Sequence, residues 1–222
     1  MNAVLKVLAI GSLCATAGLA GNLLLNGSFE DGAFTGTSGG GGTQLISGST
    51  ALTGWTITGS HDVIWLANGN GFGITAENGT KLLDLTGYED TTPFDGVSQT
   101  VLLAAGDYSL MFDIGADQDN GAFSGPVAVA ASADGNAAQT FTFDTTGLTG
   151  NVWQQETYDF TVATTGEVAV NLQGVTGSQY IGLDNADLEL VSSTSAAPEP
   201  VMTVPALLAC VAFWFTRRRR TA

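Results

Sequence analysis

The chain has 222 residues, with 21 Asp or Glu against 6 Lys or Arg and a formal net charge of −15. An acidic chain of this kind repels phosphate backbones, which excludes a nucleic-acid partner, while 44% hydrophobic residues exclude wholesale disorder. One His and two Cys leave little for zinc coordination, cysteine nucleophiles or histidine-based catalysis.

Residues 1–20 carry Lys6, then the apolar run VLAIGSLCATAGLA ending in small residues. This pattern predicts a secretory signal peptide, exported by the Sec machinery and cut by signal peptidase. Residues 21–191 follow as one domain. From Gly21 to Ala197 there are 20 acidic residues and a single basic one, Lys81. The run Gly39-Gly40-Gly41-Gly42 reads as a flexible loop or an insertion. Strands are predicted at 52–58, 62–67, 80–86 and 96–103, separated by turn signals such as Asn68-Gly69-Asn70-Gly71 and Asn78-Gly79.

Strict alternation marks the next strands. Tyr108, Leu110, Phe112 and Ile114 share a face within 106–114, Phe141 and Phe143 within 138–144, Tyr158, Phe160 and Val162 within 156–162, and Val168, Val170 and Leu172 within 167–173. Further strands are predicted at 126–132 and 179–191. The last one changes phase: Ile181 and Leu183 are apolar at odd positions, Leu188 and Leu190 at even ones. Side chains alternate strictly along a strand, so a bulge or bend is expected at Asp184-Asn185, where it would re-aim a carboxylate. No helical period occurs between the terminal segments. The pattern specifies an all-β sandwich or jelly roll.

Residues 192–197 read as a polar linker, and 198–222 as a membrane signal. Pro198, Glu199 and Pro200 precede an uncharged span at 201–216, which at ~1.5 Å per residue covers ~24 Å as a single helix. Arg217, Arg218, Arg219 and Arg220 follow and hold the C-terminus on the cytoplasmic side. Cys14 and Cys210 both lie in the terminal segments, so the domain between them has no disulfide.

The tail resembles the PEP-CTERM sorting signal, with its Pro-Glu-Pro motif, short span and Arg cluster in order. That resemblance implies transient anchoring in the inner membrane of a Gram-negative bacterium that secretes exopolysaccharide, and cutting by exosortase. The segments NLLLNGSFEDG, LTGWTITG, DVIWL, GTKLLDLTG, GVSQTV, FTFDTTG and YIGLDNADLEL resemble the choice-of-anchor C domain of PEP-CTERM proteins. This group is related to a plant cell-wall family of unknown function and, more distantly, to galactose-binding-like jelly rolls. It implies a non-catalytic β-sandwich at the cell surface or in the extracellular matrix, whose relatives bind glycans, often with a structural Ca²⁺. By that resemblance Glu30 and Asp184 would hold Ca²⁺, with Asn26 and Asp31 as further donors. The alternative has both carboxylates accepting backbone N–H groups and Asn26 making an Asx-turn.

For glycan binding, Phe72, Tyr88 and Phe94 are the surface candidates because they lie among loop residues, whereas Trp55 and Trp65 sit in strand-like runs and belong to the core. Asp113, Asp117 and Asp119 with Asn120-Gly121 read as a solvated acidic turn, because their spacing fails an EF-hand. Two rival classes remain. One is a purely structural or adhesive matrix protein, and the other a glycoside hydrolase or esterase. For glycoside hydrolysis two carboxylates could serve, but among 20 acidic residues some pair falls at any separation, so abundance is no evidence. An esterase would need His61, the only His, as its base, and no G-x-S-x-G occurs. Direct contact with an acidic polysaccharide would be repulsive, so divalent cations would have to mediate it.

Overall fold

The computed structural model describes residues 21–88, 92–117, 125–177 and 180–193. The segments read as a signal peptide (1–20), as the linker from 194 and as a sorting signal (198–222), together with Asp119-Asn120-Gly121, lie outside the described residues. Within them the chain forms eleven strands: β1 (Thr43–Ile46), β2 (Thr56–Thr58), β3 (Asp62–Ala67), β4 (Lys81–Asp84), β5 (Gly96–Leu103), β6 (Gly106–Asp117), β7 (Pro126–Ala133), β8 (Gln139–Asp144), β9 (Asn151–Val162), β10 (Gly166–Thr176) and β11 (Gly182–Ser193). They pair antiparallel in two sheets, a six-stranded one ordered β1-β3-β4-β11-β6-β9 and a five-stranded one ordered β2-β5-β10-β7-β8.

The expected alternation decides which side chains lie between the sheets. Tyr108, Leu110, Phe112 and Ile114 are buried on β6, and Val168, Val170 and Leu172 face them from β10. Phe112, Phe141, Tyr158 and Phe160 meet through edge-on and stacked ring contacts at 5.4–6.4 Å. Trp55 and Trp65 are core residues, as their strand context requires. Each indole N–H finds an acceptor in the N-terminal segment, Trp55 on the Asn26 carbonyl (3.0 Å) and Trp65 on that of Phe29 (2.8 Å). Those two bonds explain the NGSFE segment. They fix it over the core even though Asn26 and Phe29 both adopt positive φ, which an L side chain rarely does.

The phase change in the last strand is a bulge. The β11–β6 register shifts between Asp184 and Asp187, and Asn185 takes φ 53°. Three expectations need correction. The Gly-rich run, expected as a flexible loop or an insertion, is an ordered turn: Gly39–Gly41 form a 3₁₀ turn, and a Cβ on Gly42 would lie 2.6 Å from Ile64. Gly40 and Gly41 take positive φ, a Cβ on Gly40 would strike the Phe72 ring, and Gly42 lies against the sheet. The short strand β1 directly after them was not predicted, since its four residues are too few to show a period. Finally, Asp113 and Asp117 lie in strand β6 and are buried at 5% and 2% exposure, not in a solvated turn.

Candidate functional site

Parity places a second set of residues on the outer face of the six-stranded sheet. Core positions are odd on β3 and β4 and even on β6, so Asp62, Ile64, Leu66, Leu82, Asp84, Asp113, Gly115 and Asp117 point outward. Gly182 and Asp184 of β11 and Trp153 of β9 join them. Registry lines up Gln44, Ile64, Asp84, Gly182, Gly115 and Trp153 as one row across all six strands. Two glycines in this row leave a trough for the Trp153 indole. A Cβ on Gly115 would meet the ring at 2.5 Å, and one on Gly182 at 2.9 Å. The indole therefore lies down on the sheet.

The β3–β4 connection, residues 68–80, folds over this face and is pinned at several points. Asn70 organises it from within, accepting from the N–H groups of Phe72 and Gly73 and donating to the carbonyls of Ala67 and Ile74. Asn151 accepts the Thr75 N–H at 2.7 Å, and the Trp153 N–H donates to the Thr75 carbonyl at 3.1 Å. Asp184 accepts the Asn78 N–H at 2.9 Å. Glu30 accepts the Thr80 N–H and hydroxyl and the Lys81 N–H, each at 2.7 Å.

This pinning seats Ile74 under the loop, fully buried with Ile64, Leu66 and Leu82, and leaves Phe72, Trp153 and Tyr180 partly exposed above that patch. Phe72 packs against Tyr180 (ring centroids 5.8 Å) and Tyr88 (6.4 Å). Tyr88 is 37% exposed, and its hydroxyl donates to the Gly39 carbonyl at 2.7 Å. Burial raises its phenol, and the carboxylates of Asp62 and Asp84 add to the rise against an opposing bond from Ser38. The result is a stripe of aromatic rings, Tyr88, Phe72, Tyr180 and Trp153, running from β3 to β9.

Of the predicted ligand residues, Phe72 and Tyr88 come together here. Phe94 does not: it is 3% exposed, packed in the core near Gly174. Its place just after a loop makes it look like loop surface in the sequence. Trp153 and Tyr180 were missed as surface residues, although parity marks both, because Trp153 is out of phase with Tyr158 and Phe160, and Tyr180 with Ile181 and Leu183.

The calcium donors can be tested against the same bonds. Glu30 and Asp184 hold opposite ends of the 78–81 segment. Both Glu30 oxygens are committed to N–H and O–H donors, and the Lys81 ammonium stands 3.3 Å from one of them. Asp184 gives one oxygen to the Asn78 N–H and the other to the Asn185 N–H. Asn26 caps its own turn, bonding the Asp31 backbone at both N–H and carbonyl. Ca²⁺ takes six to eight oxygens, backbone carbonyls and waters included; here each carboxylate oxygen already accepts a hydrogen bond, and the Lys81 ammonium beside Glu30 opposes a dication. Among the described residues no group of three or more His, Cys, Asp or Glu is placed to hold a metal.

Asp184 stands out electrostatically. It is fully buried and faces Asp113 directly across the β6–β11 pair. Desolvation pushes its carboxyl up to about 7, with the Asp113 charge adding to the rise, although three backbone N–H groups pull it down. Burial also raises Asp113, against a 2.9 Å bond from the Asn185 amide.

No curated protein matches the chain. Among solved structures it is similar to TmCBM61 in complex with beta-1,4-galactotriose, at 19% identity, covering 76% of this chain and 98% of that one with a TM-score of 0.48. It is similar also to the CBM22-1 xylan-binding domain of Xyn10C from Paenibacillus barcinonensis, at 20% identity, covering 68% and 97% with a TM-score of 0.42. Likeness at that level carries no function across. The model of a family described as a protein of unknown function, DUF642, matches residues 22–181. The chain belongs to the DUF642 family.

Proposed function

We propose that the protein is an exported, non-catalytic glycan-binding module that holds a polysaccharide chain on the outer face of its six-stranded sheet. The observation that carries this reading is the stripe of partly exposed rings, Tyr88, Phe72, Tyr180 and Trp153, on a rigid sheet with carbonyl and hydroxyl groups at its rim. Aromatic faces stack on the C–H surfaces of sugar rings, and Tyr and Trp add a polar handle. The pinned 68–80 loop fixes Phe72 in advance, so little ordering has to accompany binding.

The terminal segments support a place for it. The Pro198-Glu199-Pro200 motif, the span and the Arg cluster fit a PEP-CTERM signal processed by exosortase, with delivery to the cell surface or matrix of a Gram-negative bacterium. Strand β11 begins beside the stripe and ends at Ser193, ~36 Å away at ~3.3 Å per residue. A C-terminal tether would thus attach at the far end of the strand from the stripe.

Affinity electrophoresis in gels containing polysaccharide tests the reading. Retardation of the wild-type protein, lost in Tyr88→Ala and Phe72→Ala, is the expected result. Retardation equal in all three would reject it, and binding only to intact cells would favour a structural matrix protein instead.

A further inference from the structure

The charge around the stripe narrows the class of glycan, on the reading that the stripe is the binding face. Asp62 and Asp84 are buried beneath Tyr88, close enough for both carboxylates to act on its phenol. Glu77 is exposed on the covering loop. The opposite charge is missing on this side. Lys81 is the only Lys or Arg between residues 21 and 193. It sits at an odd position of β4, the parity that faces away from the stripe. Its ammonium is bound to Glu30 and lies 5.8 Å and 6.0 Å from the ring centres of Phe34 and Trp65. The single histidine, His61, bends before β3 with Nδ1 3.2 Å from the Pro93 carbonyl.

A ligand on this face therefore meets π faces and the exposed Glu77, above buried acidic residues and without a cation. A uronate would be repelled. A neutral sugar would gain stacking alone. A protonated amine would gain attraction to the ring faces and to the carboxylates beneath them, in a partly desolvated setting where both are strengthened. We infer that the stripe is built for an amine-bearing polysaccharide, a chain with free hexosamine nitrogens, and not for an acidic one. Sugar stacking and ammonium recognition would then use the same rings.

The test is calorimetric titration of the purified full-length protein with β-1,4-linked oligomers of glucosamine, N-acetylglucosamine and a uronic acid, and with oligolysine, in mildly acidic buffer at low and high salt. The glucosamine oligomer should bind about three- to thirty-fold more tightly than its acetylated counterpart. The margin should shrink with salt, vanish in Tyr88→Ala and Phe72→Ala, and survive in Tyr88→Phe. Should the acetylated or uronate oligomer bind as well or better, still through Tyr88, the charge inference falls while the glycan reading stands. Oligolysine binding equally at the same residues, or glucosamine binding untouched by the substitutions, would reduce the effect to bulk attraction and overturn the inference. If no oligosaccharide binds through Tyr88 or Phe72, the glycan reading itself fails.

Discussion

Substituting Asp184 by Asn should change how stability responds to pH. The carboxyl is fully buried, faces Asp113, and is pushed up to about 7. In the unfolded chain it returns to an ordinary aspartate value of ~3.9. The folded state thus prefers the protonated form. Its stabilising contribution is complete below the unfolded value and is lost as pH rises through about 7. The full loss corresponds to about 4 kcal/mol. Because unfolded chains already release the proton near pH ~4, only about 2–3 kcal/mol of it falls between about pH 5 and pH 8. For a domain of this size that is a fall in Tm of roughly 5–10 °C.

The amide introduced by Asp184→Asn cannot ionise, but it puts an NH2 donor where one of the two carboxyl oxygens now accepts a backbone N–H. Leaving that N–H unpaired costs about 1–3 kcal/mol. Asp184→Asn should therefore melt below wild type at pH ~5 and draw level or pass it at pH ~8. Thermal melts of both proteins at several pH values would show the curves converging. Parallel curves, or a wild-type Tm that stays constant over this range, would refute the reasoning.

Gly115→Ala should lift the Trp153 indole off the sheet, because the new Cβ would stand 2.5 Å from its ring. A cost of about 1–3 kcal/mol in urea melts is expected, with a shift in Trp emission; an unchanged spectrum would contradict the trough. Phe94→Ala should destabilise by about 3–5 kcal/mol, as for a core aromatic, whereas Tyr88→Ala should cost under ~1 kcal/mol. A reversed order in chemical denaturation would return Phe94 to the surface. Glu30→Gln should lower the melting temperature by loosening Thr80 and Lys81 from the N-terminal segment. Burial raises the Glu30 carboxyl, but those bonds together outweigh it and hold the group below its usual value, so their contribution is present at neutral pH and lost in acid. Chelator should leave the melting temperature of the untreated protein where it was; a marked fall would restore the calcium site.

Much of the architecture was legible because alternation is a strong signal when one face is buried. Val168, Val170 and Leu172 could only face a core, and the parity switch between Leu183 and Leu188 forced the bulge at Asp184-Asn185. What alternation does not show is whether the other face is covered. Asp113 and Asp117 read as a solvated turn, yet the β3–β4 connection lies over this side of the sheet and both are buried. Loop position misled in both directions. Phe94 follows a loop and turns inward, while Trp153 lies in a strand and turns outward. The Gly run looked like a flexible loop because composition cannot reveal that Ile64, Leu66 and Phe72 crowd against Gly40 and Gly42.

Hydrogen–deuterium exchange of the protein with and without a bound polysaccharide tests the central claim most directly. If the aromatic stripe is the binding face, protection should appear in the 70–76 loop, around Tyr88 and Tyr180, and at the Trp153 end of β9, and the five-stranded sheet should be unchanged. Protection confined to the five-stranded sheet, or spread evenly over the acidic surface, would contradict it.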